Sequence, residues 1–372
     1  MNSRLSSSVS QHRQIIIRRF APITIAILIL MVVVFAYSSL SDSSSTSSRW
    51  ETVQVNKFLQ SMLSNYTYNY NNIIPSFYNN KNDDDDKCLS SNDWSQISAE
   101  TMTPSEIIKY LHWGGINDAM TLSAGCRLSH DFGGKVMNGR YIPRGIDGQK
   151  SVCIDPPSIA PRTNGRCVVY SIGINNEWSF DKDMEAYGCT VFAFDPSMNV
   201  SAPYFDHSER IHFFNLALDS TDSHDGKRLT LDSINSMLAA NRDGNISRVA
   251  SGYHDDDEGI IDYLKIDVEA AEWDILPQIL QSPKQPLSRV KQMGIEIHIR
   301  NNLPGGLNDY RRLISILKSI EKDPLNNDGY GGGMIRFSSR PNPWCVGFVV
   351  EALDNYNGST CFELAWLNSK FL

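Results

Sequence analysis

The chain has 372 residues, 34 Lys and Arg against 42 Asp and Glu, a formal charge of −8 and a sequence pI near 5.5. That length supports one large core or two smaller ones. The acidic balance excludes the basic face that grips phosphates, so no nucleic acid is expected as a partner, and a small molecule or a glycan suits the surface better.

No charged residue occurs between Arg19 and Asp42, and "ITIAILILMVVVFAY" fills the middle of that run. About 20 apolar residues at ~1.5 Å each cross a ~30 Å hydrocarbon core. Arg13, Arg18 and Arg19 precede the run and no basic residue follows it closely. Residues 1–19 are therefore expected in the cytoplasm, 20–41 as a transmembrane signal anchor, and the rest in the lumen of the Golgi or ER, as in a single-pass type II protein. A cleaved signal peptide competes, with Ala36-Tyr37-Ser38 as its small-x-small site, but the basic leader is long for one.

Asn-x-Ser/Thr triplets at Asn65, Asn199, Asn245 and Asn357 agree with lumenal placement, and make a glycoprotein of the chain if they are used. The seven cysteines contain no C-x-x-C pair and so no zinc spacing. In an oxidising lumen some pair, and Cys345 with Cys361, flanking two C-terminal strand candidates, is the expected bridge. Residues 42–100 read as a flexible stem, and the acidic run Asp83–Asp86 within it as a solvated loop.

From Arg166 onward strands and helices alternate, the pattern of a parallel sheet with crossover helices. "CVVYSIG" is a strand buried on both faces. "SFDKDMEAYG" is a short helix stopped by Gly188, and "CTVFAFD" the second strand. "RIHFFNLALD", "GIIDYLKID" and "VKQMGIEIHI" are the third, fourth and fifth. "LTLDSINSML" is a helix capped by Thr230 or Asp232, and "NDYRRLISILKSIEKD" an amphipathic one. "MIRFSS" and "CFELAWLN" close the sheet.

This order implies an α/β doubly wound sheet, whose ligand crevice lies at the carboxyl ends of the strands where the winding reverses. Gly173, Asp195, Asp267 and His298 end strands one, two, four and five. Gly173 admits a ligand close to the backbone, and Asp195, about 20 residues on, suits the hydroxyls of a ribose. The three-glycine dinucleotide fingerprint is absent, with Asn175 where a second glycine would stand, so a cofactor with a ribose and no pyrophosphate fits best. S-adenosylmethionine is one.

"SVCIDP", "CVVYSIGINNEWSFDKDMEAYGCTVFAFDPS", "YLKIDVEAAEWDIL", "GIEIH" and "CFELAWLN" together resemble the methyltransferase-like 24 group of S-adenosylmethionine-dependent methyltransferases, and "LKIDVEAAEWDIL" looks like the related FkbM-type enzymes. The resemblance covers roughly residues 100 to 372. It implies a Rossmann-like seven-stranded sheet of class I methyltransferase type, with the last strand antiparallel, over residues 101–372. By that analogy Ser171, Gly173, Asn175 and Glu177 face the methionine end of the cofactor, Asp195 the ribose, and Ala217 with Leu218 the adenine.

Plainer roles stand beside these. Gly173 also suits a tight turn, and Asp195 a helix cap before Pro196. Glu272 reads as an acid in the first turn of a helix. Glu296 and His298 alternate with Ile295, Ile297 and Ile299 and share one face of strand five, where a core histidine and a catalytic one are equally compatible. For methyl transfer to a hydroxyl, His298 is the leading base, with Glu269 or Asp267 orienting it or gripping the acceptor. Nothing in the spacing calls for a metal, although carboxylates with a histidine could hold one. The rivals are a Golgi-type glycosyltransferase using Asp267-Val268-Glu269 as a D-x-D-like metal site, and a binding module that keeps the fold without turnover.

Overall fold

The structure is a computed structural model that describes residues 94, 96–112, 124–137, 145–240, 259–322 and 331–372. The expected tail, the anchor at 20–41, most of the stem, Cys88 and the triplets at Asn65 and Asn245 lie outside the described residues. Among the described residues no helix is long and apolar enough to cross a membrane.

The amino-terminal part of the fold carries helix α1 (Pro104–His112) and four short strands: β1 (Leu128–Phe132), β2 (Lys135–Met137), β3 (Gly145–Asp147) and β4 (Lys150–Asp155). There follow β5 (Val168–Ile172), α2 (Ser179–Tyr187), β6 (Thr190–Phe194), β7 (Tyr204–Asp206), β8 (Ile211–Phe214), β9 (Ala217–Leu218), β10 (Arg228–Leu229) and α3 (Leu231–Ala240). The chain then runs through β11 (Ile261–Ile266), α4 (Glu272–Gln281), β12 (Val290–His298), α5 (Leu307–Glu321), β13 (Met334–Pro341) and β14 (Cys361–Asn368).

The main sheet has eight strands in the order β13-β14-β12-β11-β5-β6-β8-β7. The five strands expected to be parallel are so, and β14 runs antiparallel to both its neighbours. The expected count of seven is corrected to eight by β7, an edge strand antiparallel to β8. The segment read as one third strand also divides: β8 stays in the sheet, while β9 pairs with β10 in a separate ladder. The winding reverses between β5 and β11, since β6 and β8 lie to one side of β5 and β11 and β12 to the other.

Every residue of β5, β6 and β11 is buried, as central parallel strands with both faces covered should be. One face packs against α1, α3, α4 and α5 through Tyr170, Ile172, Leu264 and Ile295. The other meets α2 through Val169, Val191 and Tyr263 against Phe180 and Met184. Helix α5 buries Tyr310, Leu313, Ile314, Leu317 and Ile320, one stripe at helical spacing. Gly188 ends α2 in the left-handed conformation, as expected, returning its N–H to Glu185 and Met184. Thr230, and not Asp232, caps α3, its hydroxyl accepting from the Ser233 N–H. The domain also begins earlier than residue 101: Trp94 is buried and meets Tyr110 edge-on at 5.6 Å, so its stretch belongs to the core and not to a stem.

Among the described residues three disulfides join Cys126 to Cys153, Cys167 to Cys189 and Cys345 to Cys361. The third is the expected bridge. It draws the loop after β13 onto the first residue of β14, which stands opposite His298 in the register of β12.

Candidate active site

Two clusters of polar side chains meet at the carboxyl ends of β5, β6, β11 and β12. The first surrounds the turn after β5. Gly173 has φ +75°, and a Cβ there would lie 1.6 Å from the Asp267 carbonyl oxygen. Only glycine fits, because the β5 turn and the end of β11 touch backbone to backbone. Asn175 and Asn176 continue in the left-handed region, which asparagine tolerates better than other side chains.

Asp195 ties this turn to β6. Its carboxylate accepts the Asn175 N–H at 2.6 Å on one oxygen, and the N–H and hydroxyl of Ser197 at 2.7 and 2.6 Å on the other. It closes a turn, and no helix starts there, which corrects the capping alternative. A carboxylate offers about four lone-pair positions, so one remains on the oxygen that faces Asn175. Beyond Asp195, a pocket of about 540 Å³ is lined by Pro196, Ala217, Ser223, His224, Asp225, Lys227 and Arg228. Ala217 thus reaches the same space as Pro196, the residue that follows the buried Asp195, whereas the Leu218 side chain packs into the core. Glu177 bonds the Ser179 N–H and hydroxyl at the start of α2. Ser171 is wholly buried beneath the turn and does not face the crevice, which corrects its expected contact with cofactor. It lies beside Asp181, whose burial pushes the carboxyl up to about 6 against the pull of Lys265 and of Ser171 itself. The Lys265 ammonium donates to the Gly173 carbonyl at 2.6 Å and so fixes the turn from below.

The second cluster lies across the switch point, on the face of β11, β12 and β14 that β4 covers. Lys150, fully buried on β4, stands 2.8 Å from Glu363, 3.6 Å from Asp267 and 4.0 Å from Glu296. Burial works against its charge, but Glu363 and then Asp267 outweigh it and hold the ammonium protonated. Burial, with Glu363 close by, pushes Glu296 up to about 9, so it keeps its proton at neutral pH and bonds to Asp267. Asp267 is shifted the other way: burial opposes its charge, and Lys150, Lys265 and His298 prevail and hold it low. Asn342 donates to Glu296 at 2.7 Å and to Asp147 at 3.0 Å.

His298 joins this cluster at the rim. Its Nδ1 is 3.2 Å from the fully buried Glu272 carboxylate, which also accepts the His298 backbone N–H at 2.6 Å. Its Nε2 lies 3.5 Å from Glu269 and 3.9 Å from Glu296. Burial alone would lower its pKa, but Glu272 above all, and Asp267 with it, raise it to about 9. The imidazole therefore carries its proton at neutral pH, the opposite of what the expected general base requires. Glu269 and Ala270 have φ of +53° and +78°, and this turn leaves the Glu269 side chain 82% exposed at the crevice mouth.

Sequence reasoning brought Asp267, Glu269 and His298 together, as the structure does. It missed Lys150, Glu363, Lys265 and Asn342, and it gave Glu272 only a helix-end role. The signal that would have found Glu363 is a single charge inside the otherwise uncharged strand β14, whereas Lys150 opens a strand that ends on Asp155 and Lys265 shares β11 with Asp262.

A doubly wound sheet with a glycine turn and an acidic strand end at its switch point is a framework for binding a nucleoside-containing cofactor. Residues 129–311 match the family model described as a methyltransferase domain. The chain is 27% identical over 231 residues to a human protein named "Probable methyltransferase-like protein 24", which covers 59% of this chain and 56% of that one. A rat protein of the same name is 26% identical over 211 residues, covering 55% and 52%. The chain spans about half the length of these curated relatives. No solved structure matches. These matches support the resemblance read from the motif blocks: the chain carries a methyltransferase domain and is similar to the methyltransferase-like 24 proteins. The match includes Asp267-Val268-Glu269, which leaves the glycosyltransferase reading of that segment without support.

Proposed function

We propose that the protein is an S-adenosylmethionine-dependent methyltransferase that O-methylates a lumenal or secreted acceptor such as a glycan. The observation that carries this reading is the link between Asn175 and Asp195 at 2.6 Å, which joins a glycine turn to an acidic strand end beside an open pocket. The residues fit the cofactor: Asp195 keeps one acceptor position for a ribose hydroxyl, Ala217 and Pro196 offer an apolar wall for the adenine, and the Gly173 turn receives the methionine end. When bound, S-adenosylmethionine supplies a methyl group on a sulfonium. The carboxylates on the acceptor side would take up the proton that the acceptor hydroxyl gives up as it receives the methyl group. Glu269 is the most open of these. Asp267 and His298 line the same end and orient the acceptor, which is where most of the rate of such a displacement arises.

The proposal includes a membrane anchor at residues 20–41 and a lumenal domain in the Golgi or ER. Three disulfides among the described residues suit an oxidising compartment, and Asn199 and Asn357 are exposed for glycan attachment.

The test is calorimetry with S-adenosylmethionine. Asp195→Ala should weaken binding by about 1.5–3 kcal/mol, the range for a lost hydrogen bond to a charged group. The variant also loses the contacts to Asn175 and Ser197, so its melting curve is recorded in parallel. Unchanged affinity in a cooperatively folded variant would remove the ribose role.

A further inference from the structure

We infer that Asp267, Glu269 and His298 form a binding site for one divalent cation, which chelates an acceptor bearing two neighbouring hydroxyls. One ligand atom from each of the three lies within 4.8 Å of the others, close enough for a single ion to touch all three. The site stands where β11 and β12 end, directly across the Gly173–Asp267 contact from the turn proposed to receive the cofactor.

An independent feature is the orientation of the imidazole. Glu272, with no exposed surface, holds the Nδ1 side of His298 and its backbone N–H together. With Nδ1–H donated to Glu272, Nε2 is the atom turned toward Glu269, and it would bind an ion by releasing the proton it carries in the free site. A buried carboxylate that fixes one ring nitrogen and presents the other is the arrangement that orients metal-bound histidines. The Asp267 carboxylate is fixed in its turn by Lys150 at 3.6 Å and by Glu296.

The donor set also selects the ion. Cys361 is near enough to group with Glu296 and His298, but its sulfur is bonded to Cys345. That leaves two carboxylates and one imidazole, a set that suits Mg²⁺ or Mn²⁺ better than an ion seeking thiolates. Three protein ligands leave further positions of an octahedral ion for water or for substrate oxygens. Two neighbouring hydroxyls of a sugar or a catechol would occupy two of them, and coordination would lower the pKa of the hydroxyl to be methylated. The choice of acceptor rests on the methyltransferase reading, whereas the cation site does not.

The full-length chain, stripped with a chelator, is titrated with Mn²⁺ alone and followed by electron paramagnetic resonance and calorimetry. One Mn²⁺ per chain is expected. Glu269→Gln, at an exposed position that leaves the fold alone, should weaken it at least tenfold, as should His298→Ala. Glu272→Gln, which touches the far side of the ring and the His298 backbone N–H and makes no contact with the ion, should cost 10–100-fold, the usual range for a residue that orients a metal ligand. Absence of bound Mn²⁺, or binding that Glu269→Gln and His298→Ala both leave unchanged, overturns the site. S-Adenosylmethionine binding by the stripped chain is measured separately. If it persists without Mn²⁺ binding, this inference fails alone, and if Mn²⁺ binds while S-adenosylmethionine does not, the methyltransferase reading fails and the cation site stands.

Discussion

Asp181 shows how single residues support the site without facing it. Its carboxyl is fully buried under the Gly173 turn, and burial moves its pKa from the ordinary 3.8 to about 6. The folded state therefore binds this proton more tightly than the unfolded chain does. The stability it contributes is complete below about pH 3.8 and falls as pH rises through about 6, a change of about 3 kcal/mol. Asp181→Asn should accordingly gain stability over the parent at pH 7 and little at pH 4, measured by urea unfolding at both. An equal difference at the two values would show that the carboxyl is not strained by burial. Such residues escape sequence reading because their meaning lies in a partner far along the chain. Lys150 meets Glu363 at 2.8 Å across 213 positions, and nothing local to either residue announces the pairing. Asp267, Glu269 and His298 were legible because strand ends in a doubly wound sheet converge by topology alone.

At the scale of elements, the turn after β5 and the end of β11 are one unit. The Asp267 N–H donates to Ile172 at 3.0 Å, the Lys265 ammonium to Gly173, and the Gly173 Cα faces the Asp267 carbonyl. Gly173→Ala combines a left-handed φ, worth about 1–3 kcal/mol, with a backbone collision, so a loss of more than about 3 kcal/mol is expected in urea unfolding. A loss under 1 kcal/mol would mean that the two segments do not touch. The long strands and α5 were readable because their apolar periodicity is strong and their faces are buried on schedule. β7 was not, since three residues carry too little periodicity, and its pairing with β8 is a tertiary fact. The division of β8 from β9 has the same origin: β9 finds its partner in β10, beyond the intervening loop.

For the whole molecule, compartment and covalent framework belong together. If the domain is lumenal, an endoglycosidase that removes N-glycans should shift the mobility of the expressed chain, and replacing both Asn199 and Asn357 by Gln should shrink that shift. A chain from glycosylating cells that shows no shift would argue for the other side of the membrane. The bridges are also placed unevenly. Cys167 and Cys189 directly precede β5 and β6, two neighbours joined from Val168–Thr190 to Ile172–Phe194. The covalent link thus stands at the amino end of the pair, and Gly173 and Asp195 at the other. Yet that other end is fastened too, since the Gly173 N–H donates to the Phe194 carbonyl at 2.8 Å, so the pair resembles a plank nailed at both ends, and a cofactor would rest on the rim of these strands without parting them.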